Sequence, residues 1–300
     1  MSFPVTTSLR VVKQPQWVLE ATRGTTPSSP TFTHAGPIQD FTPNTDTNSV
    51  NYRMLGSPDL YKVIKTGERF SFDITYNPID RVLMSKGINL DSEDATHNRE
   101  QSLTFLLSQE MNDSGTLDEF YIIPVGCSCD STSIDISLEA VNVSQTWIAN
   151  DIPIPSTTHG LSGTPTFASD ITATPWTGIT ANANTLTHNS NSYVLRSFSC
   201  TVNHNTDQIQ PLGTPNVFAT IPTIRDISGS FDVLHEDNAL STDAEAVTAR
   251  AATVFLSTDT KLTFTDFYLT SYNESISATS TEAKTISYNF VAKSVVCEAI

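Results

Sequence analysis

An internal repeat restricts the fold of this chain more than any other feature. The turn Leu55-Gly56-Ser57-Pro58-Asp59 leads into Arg69-Phe70-Ser71-Phe72-Asp73-Ile74, and Leu212-Gly213-Thr214-Pro215-Asn216 leads likewise into Gly229-Ser230-Phe231-Asp232-Val233. Further matches follow in the same order. The offsets are 157 at the turn glycines (213 − 56), 159 at the strand phenylalanines (231 − 72), 149 at Ser108 and Ser257, 147 at Phe120 and Phe267, and 152 at Ile134 and Ile286. Five matches in one order with small drifts point to a duplicated module rather than to one site built from the whole chain. We therefore expect two units, residues 1–150 and 151–300, each large enough to bury a core of its own.

Composition supports a β reading. Charged residues make up 16% of the 300 positions, against roughly 25% in an average soluble domain. Ser, Thr and Asn fill the remainder, which suits pleated surfaces and turns. A net charge of −16, from 32 acidic and 16 basic residues, disfavours sequence-independent binding to nucleic-acid phosphates. The start of the chain lacks a basic and apolar leader, and no stretch has the ~20 apolar residues of a membrane helix. Cytosolic synthesis and no membrane partner are expected. Cys127 and Cys129 form a C-x-C with no second pair or nearby His, so no metal is expected, and Cys200 and Cys297 read as buried free thiols in a reducing compartment.

Along the chain, residues 1–36 read as an arm with a short strand at Trp17–Thr22 and an exposed Pro-rich loop. Phe70, Phe72, Ile74 and Tyr76 alternate with Arg69, Ser71, Asp73 and Thr75, the period of a strand with one wet face. Ser92-Glu93-Asp94 ahead of Leu103, Leu106 and Leu107 predicts a helix over about 92–109. Strands follow at Glu119–Ile123 and at Ile134, Ile136, Leu138 and Ala140. Residues 150–192 read as a long ordered loop in which Phe167 and Trp176 make contacts. The second unit then runs through strands at 193–202 and 227–233. A helix opened by Thr242-Asp243-Ala244-Glu245 follows, with Ala244, Val247, Ala251, Val254 and Phe255 on one face. The closing strand carries Ile286, Tyr288, Phe290 and Ala292.

Catalytic signatures are missing. There is no G-x-S-x-G, H-E-x-x-H, P-loop or dinucleotide fingerprint, so we expect no enzyme and no cofactor. His204 reads as a polar turn residue without a second metal ligand in range. Asp73 and Asp232 hold equivalent places on wet strand faces, where a solvated role outweighs a catalytic pair.

The chain resembles the tail tube proteins of long-tailed, head-tailed viruses. Glu20, Thr22, Gly24, Thr25 and Pro27 match an E-x-T-x-G-T-x-P opening, the Leu55–Asp59 turn follows, and Ile227-Ser228-Gly229-Ser230-Phe231 matches an I-x-G-S-F strand. The resemblance implies a mainly β fold: two tandem β-sandwich or barrel modules, each with one flanking helix and a long hairpin that joins a barrel around a channel. It implies a homo-oligomeric ring, three chains with pseudo-sixfold symmetry being favoured over six. Such rings stack into the tail tube of the virion, meet other tail proteins, and let viral DNA pass without specific binding. Ser71, Asp73, Ser230 and Asp232 become candidates for the channel wall, and Phe167 and Trp176 for a subunit or inter-ring contact. The rival readings are another virion structural protein, or a β-sandwich adhesin using Trp147, Trp176 and Tyr193 as a carbohydrate platform.

Overall fold

A computed structural model describes residues 10–53, 60–89, 102–113, 116–150, 156–177, 185–209, 219–234, 238–274 and 285–300. The first half contains strands β1 (Arg10–Val12), β2 (Gln16–Leu19), β3 (Thr33–His34), β4 (Ile38–Arg53) and β5 (Leu60–Tyr76), helix α1 (Val82–Ile88), and strands β6 (Leu103–Asp113), β7 (Thr116–Ile122), β8 (Ser128–Ile136) and β9 (Val141–Ala149). The second half contains β10 (Thr185–His188), β11 (Asn191–Asn203), β12 (Thr206–Ile209), β13 (Ala219–Pro222) and β14 (Asp226–Leu234), helix α2 (Ala239–Ala246), and strands β15 (Arg250–Phe255), β16 (Thr260–Glu274) and β17 (Thr285–Ala299). The expected turns at 55–59 and 212–216 lie outside the described residues.

The second half closes into a barrel. Strands β10, β15, β16, β17, β14 and β11 pair in that order, and β11 returns to β10 through Tyr193↔Leu186, giving six antiparallel strands without a gap. Alternation fills its interior with rings: Phe198, Phe231, Phe264, Phe267, Tyr288 and Phe290 are all buried, with Phe267 and Phe290 stacked at 4.5 Å. Strand β11 also carries the same sheet beyond the barrel, because its far end pairs with β8, and β8, β9, β5 and β4 continue the ladder. A separate five-stranded sheet of β1, β6, β2, β3 and β7 covers the first half. Beneath it lie Phe72, Phe105 and Trp147, each packed ring to ring at 5.0–5.2 Å.

Both halves lay down neighbours in the same order: β8-β9-β5-β4 in one, β16-β17-β14-β11 in the other. The register ties them residue by residue, since Phe72 faces Trp147 as Phe231 faces Tyr288. One level along, Phe70 faces Ala149 and Gly229 faces Phe290, so the same space is filled by a ring from opposite strands. A Cβ on Gly229 would sit 2.6 Å from the Phe290 ring and closer still to Ser199 O, which is why no side chain is tolerated there.

Several expectations are corrected. Residues 103–113 form β6, not a helix, because Ser102 to Ser108 are buried on both faces and the continuous apolar run carries no strand period. The expected N-cap at 92–94 lies outside the described residues. The helix of this half is α1, which follows the Asp80 carboxylate that accepts the Val82 N–H. In the second half α2 starts at Ala239, with Thr242 bonded back to Asn238 O rather than acting as a cap. It ends at Val247 in the left-handed region, φ 47°, so Ala251, Val254 and Phe255 belong to β15. The strand expected through Ala140 stops at Ile136. Ser137 and Ala140 close a tight turn that leaves Leu138 63% exposed. The partner of β17 in the repeat is thus β9, not the 134–140 segment.

Candidate assembly surface

The wet face of the continuous sheet is built from the odd members of the alternating strands. With Phe70, Phe72, Ile74 and Tyr76 buried, Ser71, Asp73 and Thr75 point outward. With Ile227, Phe231 and Val233 buried, Ser228, Ser230 and Asp232 do the same. Neighbouring strands are in register, so these side chains line up in rows. One row runs Asp40, Thr75, Ser144, Ser133, Thr201 and Ser228, from β4 through β5, β9, β8 and β11 to β14. It crosses from the first half to the second without a break. Thr75 Oγ1 lies 2.9 Å from Ser144 Oγ and Thr201 Oγ1 3.4 Å from Ser133 Oγ. A parallel row, Asn142, Asp135, Ser199, Ser230 and Asn289, carries the second half onward to Ser271, which accepts from Asn289 Nδ2 at 2.8 Å.

Asp73 and Asp232 sit in this wall with matched partners. Thr42 and Thr146 flank Asp73 on β4 and β9, and Thr146 Oγ1 donates to it at 2.7 Å. Ser197 and Ser287 flank Asp232, and both hydroxyls donate to its carboxylate, Ser197 at 2.7 Å. Asp40, Asp135 and Asp226 are exposed on the same face, and Arg69 stands opposite Asp46. The surface offers hydroxyls, amides and carboxylates. Among the described residues no three His, Cys, Asp or Glu side chains gather as a metal site.

The two aromatic contact candidates lie in the 156–177 loop, which folds onto the first half. Trp176 N–H donates to Pro78 O and its carbonyl accepts from Val141 N–H, while the ring packs partly into the core. Phe167 stacks on Phe32 at 6.1 Å and is 44% exposed. It borders a cavity of about 520 Å³ with Lys13, Gln16, His34, Glu119 and Tyr121. A carbohydrate platform of Trp147, Trp176 and Tyr193 is not present, because Trp147 and Tyr193 are buried within the core.

Two buried polar clusters lie away from this wall. The first is Glu20, buried at 6% exposure: Gly24 and Gly126 N–H donate to its oxygens at 2.8 Å, Ser102 Oγ and Thr104 Oγ1 at 2.6 Å. Four donors satisfy the carboxylate away from water, pinning the arm to β6 and to the loop before β8. The E-x-T-x-G spacing is the signal that was available, since Gly24 with φ 72° brings its own N–H back to Glu20. The second cluster clasps the end of α1. His204, expected in a polar turn, is 4% exposed, and its Nε2 lies 2.8 Å from Gly87 O. Arg225 Nη2 donates to Ile88 O and to Val295 O, and Asn89 exchanges two hydrogen bonds with the Cys297 backbone. The clasp joins the halves. All four cysteines are free and buried, as expected of Cys200 and Cys297, and burial pushes those two thiols up to about 12.

A protein-family model described as phage tail tube protein matches residues 15–292. No curated protein matches the chain. The family match spans nearly the whole chain, and on it the chain belongs to the phage tail tube proteins.

Proposed function

We propose that this member of the phage tail tube family builds the wall of a tail tube, as rings that stack into the channel through which viral DNA reaches the host. Family membership makes it a structural protein of the virion tail; the ring, the stacking and the DNA path are our reading. The observation that carries it is the repeated ladder: Asp73 and Asp232 occupy the same place in the same strand order, on one sheet that already runs through both halves. Two equivalent modules, residues 1–150 and 151–300, suit a ring of three chains with pseudo-sixfold symmetry. Meetings with other tail proteins and synthesis in the host cytoplasm belong to the same reading.

Chemistry favours the Ser, Thr and Asp wall as the channel lining, with Ser71, Asp73, Ser230 and Asp232 toward the DNA. Retaining a polyanion requires cations that displace its counterions. A face of mostly hydroxyls and carboxylates, where Arg69 stands opposite Asp46, has few to offer, and the excess of 16 negative charges extends the repulsion beyond contact range at low salt. Phe167 and the loop that carries it suit a contact between subunits or rings. Electron microscopy of the concentrated purified protein tests the assembly. Rings or tubes with an open lumen are expected; a monodisperse monomer at all concentrations contradicts the reading.

A further inference from the structure

The five-stranded sheet has two faces with different surroundings. Phe105 on β6 points into the core, where its ring meets Phe72 at 5.0 Å and Trp147 at 5.2 Å. Alternation therefore turns Leu106 and Ser108 the other way. Residues directly across the ladder share that face: Gln16 and then His34 beside Leu106, Tyr121 beside Ser108, with Glu119 two places from Tyr121 on β7. These side chains floor the cavity of about 520 Å³. The core lies between this floor and the Ser, Thr and Asp wall, so the two surfaces look in opposite directions.

The 156–177 loop forms one side of the cavity and is held there by several contacts. Thr166 exchanges backbone hydrogen bonds with Pro30 and Phe32 at 2.8 and 2.9 Å. Ala168 N–H donates to Gln16 Oε1 at 2.9 Å, and His34 Nε2 lies 2.9 Å from Ser169 O. Phe167 stacks on Phe32, and the His159 ring meets Tyr121 and Phe167 edge to face at 5.8 and 5.9 Å. The Phe167 ring is thus fixed in position while 44% of the residue stays exposed. A ligand that meets it finds a surface already ordered, which lowers the cost of binding.

The chemistry of the floor narrows the ligand. Lys13 Nζ lies 2.8 Å from Glu119 Oε1, so the charge that would draw an anion is balanced, and the exposed Asp170 at the same cavity opposes one. Glu119 is engaged in turn by Lys13 and by the Tyr121 and Ser108 hydroxyls, so a cation gains little there. An apolar ligand would strand these polar groups. A neutral molecule that gives and accepts hydrogen bonds, and has one apolar face for Phe167, satisfies all of them. A sugar ring is such a molecule, and the cavity lies within the range of about 300–1,000 Å³ usual for small-molecule sites. We propose that this cavity binds a saccharide: a neutral pyranose lies with its C–H face on Phe167 and its hydroxyls over Gln16, Glu119 and Tyr121. With the Ser, Thr and Asp wall toward the channel, the site opens on the outer surface of the tube, where surface carbohydrate can reach it. Binding itself does not depend on that placement, and the exposed stretch 162–164 stays available for a subunit contact.

Saturation-transfer NMR on the full chain tests it, with the methyl glycosides of glucose, galactose, mannose and N-acetylglucosamine as probes. At least one is expected to bind with a Kd of about 1–10 mM, and the ring C–H protons on one of its faces are expected to receive most of the transfer. Phe167→Ala should weaken binding by about tenfold or more, whereas Phe167→Trp, which keeps the stacking surface, should retain it, both with an unchanged circular dichroism spectrum. Glu119→Ala should weaken it as well, and inorganic phosphate should not compete. No transfer to any of the glycosides, equal binding by Phe167→Ala, or displacement by phosphate overturns the proposal. Binding is expected to persist in the assembled protein; its loss on assembly would give the cavity to a neighbouring copy and overturn the proposal too. Rings that bind no glycoside contradict the saccharide site alone. A protein that binds the glycoside and never forms rings contradicts the tube reading alone.

Discussion

Asp73 and Asp232 are 159 positions apart and occupy the same rung of the same ladder, one between Thr42 and Thr146, the other between Ser197 and Ser287. In each half the acid on the middle strand takes a hydroxyl from the last strand. The two acids thus share one structural environment, repeated from half to half, as the proposed lining requires.

If that lining faces DNA, reversing its charge changes what the tube does without unfolding it. Asp73→Lys with Asp232→Lys is expected to assemble, because both side chains lie on the wet face. The assembled variant should retain short double-stranded DNA at low salt and release it as salt rises, whereas the unsubstituted protein should retain none. Equal retention by both contradicts a channel-facing position.

Glu20 is expected to matter more for stability than any exposed carboxylate. Glu20→Ala strands two backbone N–H groups and two hydroxyls, at about 1–3 kcal/mol per unsatisfied buried group before relaxation. Denaturant unfolding should show a loss of about 3 kcal/mol or more, and hydrogen exchange should quicken in β2 and the 22–34 segment. A loss under 1 kcal/mol contradicts the pinning role.

The strand expected through residue 140 makes a contrast pair. Ile136→Ala removes a side chain that is 5% exposed and should cost about 2–4 kcal/mol. Leu138→Ala trims one that is 63% exposed and should stay within about 0.5 kcal/mol. Equal costs, read from chemical denaturation, would mean that Leu138 packs.

Acid should weaken the fold through His188 and His204. Burial lowers both below the ordinary 6.5; at His188 Asp243 opposes this and Arg250 adds to it, and at His204 the Gly87 carbonyl and Asp130 oppose it while Arg225 adds to it. The unfolded chain therefore binds protons that the folded chain refuses, so stability is full above about pH 6.5 and declines as pH falls below it. Carboxylates such as Glu119 and Glu298 titrate lower, below 4.5. The melting temperature should fall between pH 6.5 and 5, and His188→Asn with His204→Asn should flatten that slope. A rise on acidification has the wrong sign.

The alternating strands were legible because one face is wet, as at Phe70 to Tyr76 and Ile227 to Val233. β6 was not, since burial on both sides erases the period that separates strand from helix. Ala251, Val254 and Phe255 lie at helical spacing and look like a continuation of α2, although the left-handed Val247 has already ended it. Of the candidate surface, the wet positions were readable from alternation, but their alignment into rows depends on register across eight strands. The α1 clasp was invisible because His204 and Arg225 reach carbonyls more than 100 positions away.

The central claim is that one chain carries two equivalent segments of a ring. Electron cryomicroscopy of the assembled rings, reconstructed without imposed symmetry, tests it most directly. Three chains per ring are expected, with threefold symmetry, six similar lobes, and Asp73 and Asp232 at equal radius on the channel wall. Six chains per ring, or a channel lined by lysines with both aspartates on the outside, would contradict it.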